Sequence, residues 1–245
     1  MGEVISVISG KGGTGKTTLC AAIASCLAVE GCRVLCIDAD IGLRNLDIAL
    51  GMSELPIVSF TDVLHGHYTL EDAAEHPRID GLYLLTAPVR ENEELISWEG
   101  FSRLLQSARE AFDYCLIDAP AGIGMGFRLA TGYADRCLVV STPDPASLRD
   151  ASCAADLLLL DGRENLQLVV NRVVPKMFAR MELTVDDVMD GVGLPLLGVV
   201  PEDEDVPLAA AEGSALIYAT DGGAAEACLR ISRRVRGIAT PLMKL

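Results

Sequence analysis

The sequence predicts an α/β fold: a doubly wound, mostly parallel sheet with helices on both faces. Three observations carry that expectation. Apolar runs bounded by turn residues alternate with helical patterns along all 245 residues. The runs are close to continuously apolar, as strands buried on both faces must be. The first run, Val4-Ile5-Ser6-Val7-Ile8, passes through a glycine-rich turn straight into a helical pattern from Leu19 to Val29.

Taken in order, strands are expected at 3–9, 33–38, 82–87, 114–118, 137–142, 167–172 and 197–200. Helices are expected at 16–30, 58–65, 98–112, 126–134, 147–160, 184–190, 207–212 and 223–236. Neither an internal repeat nor a linker interrupts the pattern. The expectation is one domain over 1–237 and a short tail, 238–245.

The turn after the first strand is Gly10-Lys11-Gly12-Gly13-Thr14-Gly15-Lys16-Thr17-Thr18. Its spacing matches the G-x-x-x-x-G-K-[ST] phosphate-binding loop without a mismatch, in the strand–loop–helix setting that such a loop needs. Phosphate oxygens call for inward-turned backbone N–H groups, and glycines permit the necessary dihedrals and close approach. The N-terminus of the following helix adds partial positive charge. Lys16 is placed to reach the β- and γ-phosphates, and the Thr17 hydroxyl to ligate Mg²⁺.

Two later strands end in acid. The second closes on Asp38-Ala39-Asp40, and Tyr114-Cys115-Leu116-Ile117-Asp118 is an apolar strand capped by a carboxylate. Carboxylates at the C-terminal ends of strands lie where ligands bind in open α/β sheets. They suit Mg²⁺-bound water or the orientation of an attacking water, although Asp also caps helices. Ala119-Pro120-Ala121-Gly122-Ile123-Gly124 follows Asp118 as a loop whose glycines would let it follow a γ-phosphate. Asn171, at the end of Leu168-Val169-Val170-Asn171-Arg172, can both donate to and accept from a base edge.

Composition bounds the rest. No window offers about 18 consecutive apolar residues, so no membrane span is expected. The chain enters a strand at once, with no room for a signal peptide, and a cytoplasmic protein is expected. The eight cysteines occur singly and largely in apolar runs, as buried reduced thiols do, with no C-x-x-C pair for zinc or a disulfide. The net charge is −15; five bases and no acid follow Ala227, leaving −20 on residues 1–227. So acidic a body argues against a nucleic-acid partner. His65, His67 and His76 are read as surface residues, and Glu202 to Asp205 as a solvated loop. Glu91, Glu93 and Glu94 are read as opening the helix that contains Trp98.

Lys11, the second lysine of the loop, gives K-G-G-x-G-K-[ST], which resembles the deviant Walker A motif of the MinD/ParA class of phosphate-loop ATPases. The segment Ile41-Gly42-Leu43-Arg44-Asn45-Leu46-Asp47 and the D-x-P-A-G run at Asp118 to Gly122 resemble its MinD branch. The likeness extends from the first strand to about Gly237.

The resemblance implies an ATP-driven, dimerising switch that hydrolyses ATP slowly until an effector protein stimulates it, and that serves to position the division site. Lys11 would reach the partner copy's nucleotide. Asp40 would position the attacking water. Asn45 would belong to the same switch, and Thr17, Asp38 and Asp118 would hold Mg²⁺. Asn171, Arg172, Pro201, Glu202 and Asp203 would flank adenine. No N-K-x-D guanine signature is present, which favours ATP over GTP.

Other readings are a flagellar-number or ParA-type partitioning ATPase, a nucleotide-binding scaffold, or an iron–sulfur carrier. No cysteine lies in the loop after Asp118 where such a carrier needs one. The tail departs from the family, whose members end in a basic amphipathic helix that docks on membrane. Here 224–237 already reads as the last globular helix, with Cys228, Ile231, Val235 and Ile238 on one face, and Pro241 interrupts the eight residues left after it. Weak peripheral contact with anionic membrane is the expectation.

Overall fold

In the computed structural model, which describes residues 1–89 and 96–244, the sheet has eight strands in the order β3-β4-β2-β5-β1-β6-β7-β8. The strands are β1 (Glu3–Ile8), β2 (Val34–Asp38), β3 (Ala74–Glu75), β4 (Leu82–Leu85), β5 (Tyr114–Asp118), β6 (Arg136–Ser141), β7 (Leu166–Val173) and β8 (Leu196–Pro201). All neighbours pair in parallel except β3, which meets β4 antiparallel at the edge.

Alternation along β1 explains its uninterrupted apolar sequence. Val4 and Ile8 enter the core on one face, and Ile5 and Val7 enter the core on the other. Against the first face pack α3 (Phe60–Leu64), α4 (Trp98–Ala111), α5 (Met125–Gly132), α6 (Pro145–Leu160), α7 (Pro175–Arg180) and α8 (Val185–Val192). Against the second pack α1 (Lys16–Val29), α2 (Leu46–Leu50), α9 (Asp205–Ala211), α10 (Leu216–Ala219) and α11 (Gly223–Val235). Helix α1 is buried almost all round, its small Ala and Cys side chains letting it lie between the sheet and α11.

Every expected strand is present, as is every expected helix, with ends moved by a residue or two. The expectation omitted β3, α2, α7 and α10, all of six residues or fewer. Glu91, Glu93 and Glu94 lie outside the described residues. Helix α4 has Ser97 as its cap, whose side chain accepts from Gly100 N.

Three readings of burial are corrected. His76 is 5% exposed and lies beneath α2, because the chain after the short η turn at Leu70–Asp72 folds back over that helix. The run from Glu202 to Asp205 is solvated at Glu202 and Glu204 but engaged at Asp203. Asp203 accepts from Ala224 N at 2.7 Å and Asp205 N at 2.9 Å, tying the first turn of α11 to the start of α9. In the tail, Cys228, Ile231 and Val235 are buried but Ile238 is 43% exposed. The chain turns at Gly237 (φ 75°) and leaves the helical face before Ile238.

Candidate functional site

The loops that follow β1, β2 and β5 meet at the C-terminal edge of the sheet. Register places Asp38 opposite Asp118, and Asp118 opposite Val7, three residues before Gly10. The phosphate-binding loop and both expected metal carboxylates therefore share one end of three adjacent strands. Backbone conformation dictates the loop's glycines. Gly13 (φ 81°) and Gly15 (φ 86°) occupy the left-handed region, and a Cβ at Gly15 would collide with the Asn171 side-chain amide. The first turn of α1 begins immediately at Lys16.

Asp118 is the hub. Its Oδ1 accepts from Lys16 Nζ at 2.6 Å and its Oδ2 from the Thr17 hydroxyl at 2.6 Å. All but 1% of Asp118 and 6% of Lys16 is buried. Burial pushes the Asp118 carboxyl above the usual range, while the adjacent Lys16 charge and the two hydrogen bonds pull it down.

Asp38 is fully buried one strand away. It accepts from Asp40 N at 2.9 Å and from Asn45 N and Leu46 N at 3.1 Å. Those last two contacts satisfy the free N–H groups at the start of α2, a capping role filled from outside the helix. Burial first, and then the Asp118 charge, push Asp38 up to about 6. Asp40 is half-buried; desolvation raises its carboxyl and Lys16 opposes the rise. Asn45 contributes its backbone here, as the residue before α2, and its side chain makes no cap bond.

Lys11 leaves the loop in the other direction. Its Nζ pairs with Asp144 at 3.0 Å, and Asp144 also accepts from the Thr142 hydroxyl at 2.6 Å and from Ser147 N at 3.0 Å. Asp144 is thus the N-cap of α6, with Pro145 following it. Sequence reasoning passed over Asp144. The Asp-Pro helix start was readable; its proximity to Lys11 was not.

The expected base-binding residues come together. The β7–β8 register breaks between Val170 and Val173, and Arg172 there adopts φ 59°. This irregularity aims the Asn171 amide at the loop, where it donates to Thr14 O at 2.8 Å. Arg172 clasps Glu202 through two bonds of 2.7 and 2.9 Å. Asn171, Arg172, Pro201, Glu202, Asp203, Gly15 and Thr18 all line one cavity of about 330 Å³ beside the loop.

The Thr14 hydroxyl is buried and finds no hydrogen-bond partner among the described residues. The donor set facing the loop is hard oxygen throughout (Thr17, Asp38 and Asp118), which suits Mg²⁺ and not a soft metal.

A cradle of this form, with its lysine, hydroxyl and paired carboxylates at the head of a parallel sheet, defines a phosphate-loop nucleotide-binding protein. Comparison with known proteins agrees. The model of the CobQ/CobB/MinD/ParA nucleotide binding domain matches residues 5–217. The septum site-determining protein MinD of Thermotoga maritima is 38% identical over 99% of this chain and 91% of its own length. That of Bacillus subtilis is 36% identical over 100% of this chain and 93% of its own.

Among solved structures, one chain of the MinC:MinD cell division protein complex of Aquifex aeolicus superposes with a TM-score of 0.91. It has 35% identity and covers 99% of this chain and 98% of that one. MinD of Pyrococcus horikoshii, complexed with Mg-ADP, superposes with a TM-score of 0.82 at 28% identity, over 96% of each chain. The chain belongs to the CobQ/CobB/MinD/ParA family of nucleotide-binding domains, as a MinD-like septum site-determining ATPase.

Proposed function

We propose that the chain is an ATP-driven molecular switch that binds ATP with Mg²⁺ and pairs with a second copy across the nucleotide face. Hydrolysis is slow until an effector protein stimulates it. The observation that carries this reading is Asp118 receiving both Lys16 and Thr17 while facing Asp38 across β2 and β5. With nucleotide bound, Lys16 exchanges the Asp118 carboxylate for phosphate oxygens, and Gly10, Gly12, Gly13, Thr14, Gly15 and Thr18 complete the cradle. Thr17, Asp38 and Asp118 would hold Mg²⁺, the aspartates through water. Held there, the ion would neutralise phosphate charge and so lower the barrier to displacement.

Asp40, half-buried at the mouth, orients the attacking water. Asn171, Arg172, Pro201, Glu202 and Asp203 flank the base. Lys11 leaves Asp144 to complete the partner copy's site. Support for the nucleotide and for an effector comes from the relatives, one bound to Mg-ADP and one in a MinC:MinD complex.

A contact with anionic membrane is weak in this reading, and among the described residues no helix is long and apolar enough to cross a bilayer. The arginines at the C-terminal end of the chain are engaged within it. Arg233 and Arg236 pair with Glu30 and Arg230 with Glu226, while Arg234 holds the carbonyls of Leu196 and Thr240. A basic residue near an anionic surface is worth about 1 kcal/mol, and these already have partners. A DNA-partitioning role is opposed by the −20 carried on residues 1–227.

Titration of the parent and Lys16→Ala with ATP, ADP and GTP in Mg²⁺ tests the reading. The parent binds ATP in preference to GTP, and the variant loses triphosphate affinity. Equal binding by the two proteins would refute the site.

A further inference from the structure

Among the described residues only three other than glycine hold a left-handed backbone, and one of them is Arg44 (φ 48°), in the loop that carries Asp40. The Asp40 carbonyl accepts from Leu43 N and from Arg44 N, each at 3.3 Å, so residues 40–44 form a single helical turn that Arg44 closes. Glycine is the usual residue at such a closing position, because a Cβ makes the left-handed conformation costly. An arginine there needs something to hold it.

Asp47 supplies the hold. Its Oδ2 accepts from Arg44 Nε at 3.0 Å, and its Oδ1 accepts from Ile48 N at 2.8 Å. Asp47 is buried and Arg44 half-buried. Helix α2, which carries Asp47, rests on α1 and sinks Leu46 and Leu50 into the core. Its far end abuts the turn after α9, where a Cβ at Gly51 would collide with the Gly213 carbonyl. Asp40 is thus fixed from both sides. Asp38 takes its N–H at 2.9 Å, and its carbonyl is held by the turn that Asp47 keeps closed through Arg44. Because α1 also carries Lys16, the arrangement sets Asp40 relative to the phosphate loop.

We infer that Arg44 and Asp47 are positioning residues for ATP hydrolysis, acting through the backbone of Asp40 to set where its carboxylate stands. The inference rests on the water-orienting reading of Asp40. Neither side chain acts on the nucleotide directly. Arg44 contributes a backbone conformation, and Asp47 makes that conformation hold. Glycine reaches the same dihedral without a Cβ and so replaces the pair in part, whereas alanine does not.

Steady-state phosphate release against ATP concentration in Mg²⁺ tests it. The proteins are the parent, Asp40→Ala, Arg44→Ala, Arg44→Gly, Asp47→Asn and the Arg44→Gly/Asp47→Asn double variant, with ADP affinity by calorimetry as the check on folding. Asp47→Asn keeps an oxygen for Ile48 N and removes the charge that holds Arg44. A reacting group misplaced by about 1 Å costs on the order of 10² in rate, so Arg44→Ala and Asp47→Asn should each lower kcat by about ten- to a hundredfold, with KM and ADP affinity within about twofold of the parent. Arg44→Gly should lose no more than about threefold, and adding Asp47→Asn to it should cost nothing further, because the pair acts as one unit. Two positions perturb the turn independently, so a folding failure at one leaves the other to decide. Parent-like kcat in Arg44→Ala and Asp47→Asn, with Asp40→Ala slow, overturns the positioning pair alone. So does a glycine variant as slow as the alanine one, or a loss that falls on ADP affinity instead of kcat. Parent-like turnover in Asp40→Ala overturns the reading of Asp40, and the positioning pair with it.

Discussion

Lys11 and Asp144 stand 133 residues apart in sequence and 3.0 Å apart in space, joined within one chain by an ion pair. The lysine proposed to reach a second copy's nucleotide is thus held within its own chain. The hold is light, because both side chains are partly exposed (35% and 49%) and such pairs contribute about 0–1 kcal/mol. Hydrogen bonds from Thr142 first, and then Ser147 and Lys11, pull Asp144 down to about 2, so it stays ionised across working pH.

Asp144→Asn keeps an oxygen for the α6 cap and removes the charge that holds Lys11. ATP-dependent dimerisation should then strengthen by up to about thirtyfold, because each dimer breaks two such ion pairs, each worth up to about fivefold. Light scattering over a concentration series in ATP measures it. An unchanged or weakened dimer would mean that the pair does not restrain Lys11.

Asp40→Ala should bind ATP and persist as the dimer while losing turnover by on the order of 10²–10⁴. Phosphate release at saturating ATP reads the rate, and calorimetry reads the binding. Turnover at the parent rate would move the water-orienting role to another side chain of the same loop.

Asp38 imposes a pH dependence with a definite sign. Burial raises its folded value from 3.8 to about 6, so the folded chain holds that proton more tightly than the unfolded one. Its contribution to stability is therefore lost as pH rises from about 4 to 6, by up to about 3 kcal/mol. Asp38→Asn removes this titration. In nucleotide-free urea unfolding, the stability of the variant relative to the parent should improve between pH 4 and 7. A constant difference would show that Asp38 does not titrate in that window.

His76 acts in the opposite sense. Its Nδ1 accepts from the N–H groups of Arg78 and Ile79 at 3.1 and 3.0 Å, which places the proton on Nε2, donating to Leu50 O at 2.9 Å. Burial first lowers its proton affinity, and a second proton on Nδ1 would face two donors. Stability from this group is present above 6.5 and is lost as pH falls below it. His76→Ala should cost about 2–4 kcal/mol by urea unfolding at pH 7.5, the sum of a buried three-bond contact. A cost under about 0.5 kcal/mol would make the histidine incidental.

The parts of this molecule that a local pattern determines were legible. The loop from Gly10 to Thr18 and the strands ending in Asp38 and Asp118 depend on nearest neighbours, and their convergence follows from parallel order alone. What escaped depends on contacts between distant segments. His76 sits in a polar stretch, and only the fold-back over α2 buries it. Asp203 reads as one acid among four until α11 comes to rest on it. Helices α2, α7 and α10 span four to six residues each, too short for an apolar period to register.

Nucleotide-dependent pairing is central to the proposed switch, and size-exclusion chromatography with light scattering measures it directly on the parent and on Lys11→Ala, each with ATP·Mg²⁺ and with ADP·Mg²⁺. The parent should be dimeric in ATP and monomeric in ADP, and Lys11→Ala should bind ATP yet stay monomeric. A parent whose mass is the same in both nucleotides, or a Lys11→Ala variant that dimerises as the parent does, would contradict the switch.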